Sequence, residues 1–300
     1  MSTHHRVRLA LLPTRLVGAA LATLAAGGLA PTGTAAQPAA SITGQGAAPA
    51  AGGATTARDR WADSVRRLID AAVPTADRGA LASARVLLDR ALAVHPHDGL
   101  LLHYAGYVAY RDAVLALARD GGTAGRGAAR GLLERADSLL ERSATRLPLA
   151  ETHALRSSVL GMQIATSGNP AAGMWLGPRS SAAMDEALRL GPRNPRVWLL
   201  RGIAAYSTPR MWGGGAERAR EYLLTAAALA SADRPPAPLP AWGAAEVQLW
   251  LGRAWLALDR PDSARAAYAR ARALEPENQW LTRVLIPEAE RAVTRGSGAR

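Results

Sequence analysis

The chain has 300 residues, a formal net charge of +12 and a mean hydropathy of −0.03; it has no Cys, Phe or Lys, so all 36 basic residues are Arg. Those gaps exclude a Walker-type phosphate loop, a Schiff base, a thiol nucleophile, a thiolate metal site and a disulfide framework. Loss of Lys and Phe beside abundant Ala, Gly, Arg and Pro is the mark of GC-rich coding, and Arg alternates with acids, as in Glu134–Arg135, Glu141–Arg142 and Glu217–Arg218. That is the pattern of solvated helix faces, so no nucleic-acid partner is expected.

The first element is an export signal. His4, His5, Arg6, Arg8 and Arg15 form a basic segment without an acid, Leu16 to Ala30 is an Ala/Leu/Gly run, and Thr34-Ala35-Ala36 supplies small residues before a cleavage point. This predicts a signal peptide over 1–36 cleaved before Gln37, and hence a periplasmic or secreted protein. The run is shorter than the ~20 apolar residues of a membrane span. No Cys follows for lipid anchoring, so membrane contact is expected only if the segment is retained. Residues 37–57 hold Ala, Gly, Pro, Thr and Gln with a single Ile. Too little apolar surface is present there to offset ordering entropy, which predicts a disordered linker.

From Arg58 onward the pattern is helix after helix, broken at Gly/Pro clusters, without the period-two alternation of a sheet. The last unit is the plainest: Leu251-Gly252 and Trp255, then Ala264, Tyr268, Ala271 and Pro276. Small residues at Gly252 and Ala264 let two antiparallel helices approach, Trp255 and Tyr268 fill the space beside them, and Pro276 ends the second helix. The second-helix half recurs as Ala84/Leu88/Ala91/Pro96, Ala136/Leu140/Ser143/Pro148, Ser180/Met184/Ala187/Pro192 and Ala219/Leu223/Ala226/Ser231. The first-helix glycine returns at Gly106, Gly161 and Gly202.

These offsets resemble the tetratricopeptide repeat. The resemblance implies an all-α, right-handed superhelical array of antiparallel helix pairs, with about five degenerate repeats and a C-terminal capping helix. The units run over 61–96, 99–148, 154–192, 195–231 and 245–276, with a cap at 278–293, inside one repeat domain of 58–294 that precedes a disordered tail at 295–300. Extra residues fall at 120–130, 167–178 and 208–215, and a further loop, Ser231 to Pro240, carries four prolines. The segment Gly202 to Ala230, through Thr208-Pro209 and Gly213-Gly214-Gly215, is similar to a stretch of the T components associated with TRAP-type transporters. That likeness implies an oligomeric periplasmic accessory that binds a solute or a partner protein.

In tetratricopeptide arrays the first helices line a concave groove. Carried onto this chain, that geometry implies a partner-binding surface of His103, Tyr107, Tyr110 and Arg111, then Met162 and Thr166, then Arg196, Ile203 and Tyr206, then Glu246, Leu249 and Arg253. Aromatic and Arg side chains suit such a surface because they give contact area and directional hydrogen bonds. Tyr104, Tyr107 and Tyr110 at three-residue spacing also read as inter-helix packing. Met211 and Trp212, large and apolar on an insertion, are candidates for a lid over the groove or a plug against the next repeat.

His95, His97, Asp98 and His103 have metal-ligand chemistry but no convergent spacing, so no metal is expected. The Gly-rich segments at 121–131 and 212–215 follow no strand and read as turns rather than phosphate loops. No nucleophile-elbow or zinc-protease motif occurs. The expected function is a non-catalytic protein-interaction scaffold of the cell envelope, without cofactors, holding a protein or peptide or other copies of itself; the alternative is the transporter accessory.

Overall fold

The computed structural model describes residues 56–120 and 122–298, with side chains as far as 294. The predicted signal peptide and nearly all of the predicted linker lie outside the described residues. Ten helices form five antiparallel pairs: α1 (Ala57–Thr75) with α2 (Arg78–Val94), α3 (Gly99–Arg119) with α4 (Thr123–Ala144), α5 (Ala150–Thr166) with α6 (Ala172–Leu190), α7 (Pro195–Ser207) with α8 (Ala216–Ala230), and α9 (Ala244–Ala257) with α10 (Pro261–Leu274). A π-helical turn, Leu281–Leu285, leads into a last helix, α11 (Ile286–Gly298).

Local chemistry sets the starts. Thr56, Asp77, Asp98 and Asn194 each accept backbone N–H bonds from the first turns of α1, α2, α3 and α7, and Pro195 and Pro261 sit where a missing N–H costs nothing. The pairs then pack through the predicted small residues. A Cβ on Gly106 would lie 2.6 Å from Leu140, one on Gly202 2.6 Å from Leu223, and one on Gly252 2.1 Å from the Tyr268 ring. Each glycine therefore admits the large residue of its partner helix.

The third pair departs from this rule. A Cβ on Gly161 would meet nothing within 4 Å. Helices α5 and α6 approach instead one turn earlier, where Ser180 donates to the Ser157 carbonyl at 2.9 Å and the two hydroxyls lie 3.1 Å apart.

The extra residues of the second unit are helical from Thr123 onward. They lengthen its helices, which run to 21 and 22 residues. At 208–215 the insertion is a single 3-10 turn, Arg210–Trp212, closed by Gly213 and Gly215 at φ of 80° and 104°, conformations that L side chains rarely adopt. Residues 231–243, between α8 and α9, form no helix, and they have the largest effect on the surface.

Candidate partner-binding surface

The first helices α3, α7 and α9 carry most of the predicted groove residues, and the structure divides these into two groups. In the N-terminal group the groove is filled by the chain itself. The strap 231–243 runs against α3: Tyr104 donates its hydroxyl to the Pro238 carbonyl at 2.6 Å, and Trp242 lies flat on Tyr107 with ring centroids 4.9 Å apart at 17°. Tyr107 stacks in turn on Tyr110 (6.4 Å, 18°), and Leu239 packs on the same core. Both ends of the strap are tied by arginines. Arg196 on α7 holds Asp233 at 2.6 and 3.2 Å, and Arg111 on α3 holds Glu246, in the first turn of α9, at 3.0 Å.

His103, Tyr107, Tyr110 and Arg196 are all buried, Tyr107 and Arg196 in contact with the strap and His103 against Thr152 of α5. Of the two readings of the tyrosine stripe, inter-helix packing is the one observed, and His103, Tyr107, Tyr110 and Arg196, expected along an open groove, are not presented to a partner. Arg111 is nearly as enclosed, its side chain 15% exposed. Helix α3 is buried on every side from Gly99 to Tyr110, as a helix without a polar face must be.

Polar groups under the strap are largely matched. His103 Nδ1 sits 2.9 Å from the Thr152 hydroxyl, Ser143 donates to the Gly99 carbonyl at 2.7 Å, and Arg196 also holds Glu151 at 3.0 Å. His103 Nε2, the Tyr107 hydroxyl and the Trp242 indole N–H are buried without a partner. Burial pushes the His103 imidazole down to about 4, with Glu151 opposing and Arg196 assisting the shift. Burial also pushes the Tyr110 hydroxyl up to about 12 and those of Tyr104 and Tyr107 further still. Arg111 resists its own desolvation, because Glu246 and the two tyrosines hold its charge.

The C-terminal group is different. Tyr206 on α7 and Arg253 on α9, both predicted, come together with Trp250 and Trp280, which the groove positions did not single out. The Arg253 guanidinium carbon lies 4.9 Å from the Tyr206 ring centroid, 4.6 Å from Trp250 and 5.5 Å from Trp280. The rings meet edge to face, Tyr206 and Trp250 at 5.6 Å and Trp250 and Trp280 at 5.9 Å. All four side chains are half-buried. Arg253 makes no ion pair or hydrogen bond with the described residues, so the guanidinium is held by ring faces alone. Behind it the Tyr268 hydroxyl is buried without a partner, in the field of Arg253, Glu288 and Tyr206.

Met162, Ile203 and Trp242 are half-buried and pack on the first core cluster, while Thr166 and Leu249 are buried. Met211 is 81% exposed on its turn, and Trp212 is half-buried and joins none of the three apolar clusters. The indole lying over the groove is Trp242. The candidate metal ligands diverge: Asp98 caps α3 and pairs with Arg58 at 2.7 Å, His103 turns inward to Thr152, and His95 and His97 lie in the α2–α3 turn.

No protein-family model matches the chain, and no curated protein matches it. Solved structures do. The HusA haemophore from Porphyromonas gingivalis is 24% identical, with a TM-score of 0.54 over 67% of this chain and 94% of that one. A thermophilic tetratricopeptide protein of Thermus thermophilus is 19% identical, with a TM-score of 0.52 over 77% of this chain and 99% of that one. Sequential antiparallel pairs, small-residue crossings and these likenesses together make the chain a tetratricopeptide-like helical-repeat protein by fold.

Proposed function

We propose that the chain is a non-catalytic scaffold of the cell envelope that holds a segment of a partner protein on the C-terminal half of its concave face. Tetratricopeptide-like arrays are in general protein-interaction scaffolds, and the first forty residues carry the features of an export signal. One observation carries the placement: the strap fills the groove along α3, whereas Tyr206, Trp250, Arg253 and Trp280 stay half-exposed. Aromatic and Arg side chains are the residue types that dominate binding hot spots.

Site-specific photo-crosslinking in cells tests this. A benzophenone side chain at Tyr206 is expected to capture a partner, and one at Tyr107 is expected to react only within the chain. Adducts from the convex position Val86, with none from Tyr206, would sink the placement. N-terminal sequencing of the exported protein checks the compartment, with Gln37 expected first.

A second reading has one observation in its favour: a similar structure is a haemophore. In that reading the ring cluster takes a planar organic anion, which also fits the transporter-accessory expectation. Titration with haemin, followed by Trp quenching, separates the two. Quenching that is saturable and lost in Trp250→Leu would favour the solute reading.

A further inference from the structure

Arg253 differs from every other groove arginine. Arg111 and Arg196 each reach a carboxylate at 3.0 Å or closer. Arg253 has none, although its side chain is fixed by three rings and half-withdrawn from water. A guanidinium stacked on ring faces still has its five N–H donors directed outward from its edge in a planar fork. Such a fork matches an oxyanion with two parallel hydrogen bonds. Ring contacts hold the long side chain in one place, so less rotamer freedom is lost when an anion arrives. An acid on α11, Glu288, acts with Arg253 on the Tyr268 hydroxyl and makes no ion pair with the described residues.

We infer that Arg253, boxed by Tyr206, Trp250 and Trp280, is a receptor for a carboxylate, supplied by an acidic side chain in the bound partner segment. This rests on the groove reading above, which says a protein segment lies there; the inference adds which chemical group anchors it. The rings accommodate the apolar residues flanking the acid, and the fork takes the acid itself. Glu288 acts on the same Tyr268 hydroxyl as Arg253 and carries negative charge, so it opposes an incoming carboxylate.

The test follows the Arg253 Nε–H signal by NMR in the full-length, arginine-labelled chain, assigned by its loss in Arg253→Lys. The probes are N-acetyl-Leu-Glu-Leu-amide, its Leu-Gln-Leu counterpart as amide and as free acid, and inorganic phosphate. The Glu peptide is expected to shift the signal saturably and to bind at least tenfold more tightly than the Gln amide. Glu288→Gln should tighten that binding severalfold. Arg253→Lys, which keeps the charge and loses the fork, should weaken binding severalfold while helicity, read by far-UV circular dichroism, stays unchanged.

Equal binding of the Glu and Gln amides overturns the inference and leaves the groove reading standing. Preference for the free-acid Gln peptide moves the anchor to a chain end, and overturns the acidic-side-chain assignment. Binding of phosphate but of neither peptide overturns both readings.

Discussion

The two halves of the array differ in what holds most of their enclosed arginines. From α1 to the start of α7 arginines are matched with carboxylates: Arg58 with Asp98, Arg66 with Asp63, Arg156 with Asp137, Arg111 with Glu246 (and 5.9 Å from the Tyr107 centroid), and Arg196 with Glu151 and Asp233. From Arg201 onward, apart from the exposed pairs Arg210–Glu217 and Arg265–Asp262, several lie over rings: Arg201 on Trp198 and Tyr222, Arg220 and Arg260 on Trp255, Arg253 on its three-ring box. A matched arginine has its donors consumed inside the protein. A ring-held arginine is fixed in place while its donors stay available. The first arrangement therefore builds structure and the second leaves chemistry unspent, and this difference separates the strapped groove from the candidate surface.

The largest effect is expected at Arg196. Its side chain is 4% exposed and Glu151 is 7% exposed, so Arg196→Met leaves a buried carboxylate without a counter-charge. A loss of about 3–5 kcal/mol in urea unfolding is expected, and a loss below about 1 kcal/mol would mean the strap does not depend on it.

Next comes pH. The His103 imidazole is held at about 4, below its ordinary 6.5, so it is neutral when folded and takes up a proton on unfolding. Stability is complete above pH 6.5 and falls as pH drops from there toward 4, by about 3 kcal/mol in total. In His103→Gln that part of the pH dependence should disappear; an unchanged slope would assign it to the carboxylates.

A smaller effect is expected at Trp242, which is half-buried. Trp242→Ala should cost about 2 kcal/mol, below the value for a fully buried indole, and part of that loss should vanish when Tyr107 is already Leu. The smallest effect belongs to Arg253. Arg253→Gln should cost at most about 1 kcal/mol, since ring contacts at such sites are modest, even though the partner is lost. A large stability loss there would make Arg253 structural like Arg196 and erase the contrast between the halves.

Much of this architecture is legible in the residues. Gly106, Gly202 and Gly252 announce helix crossings because only a missing Cβ admits Leu140, Leu223 or Tyr268. Gly161 misleads, since Ser157 is small enough to make the crossing one turn earlier. The strap is not legible from its own residues, because an irregular Pro-rich segment gives no sign of which face it will cover. Its target does give a sign. From Leu100 to Tyr110 helix α3 has no charged residue, so it has no face that water would solvate and something must cover it. Of the ring box, Tyr206 and Arg253 follow from repeat position. Trp280 does not, because it belongs to the cap beyond the last repeat.

Repeat arrays ordinarily unfold piecemeal, since each unit touches only its neighbours and the energetics approach a one-dimensional chain of nearest-neighbour terms. Here Tyr104 meets Pro238 134 residues away, and Arg111 meets Glu246 135 residues away. Those two contacts bridge the second unit to the start of the fifth. Opening of the strap or of the start of α9 therefore costs the second unit its cover as well, which couples distant units. Closing so long a loop is entropically demanding before any contact repays it, so folding should be slower than in an unstrapped array of equal length. The strap thus makes the second unit and the start of the fifth answer to each other across a solenoid that would otherwise be modular.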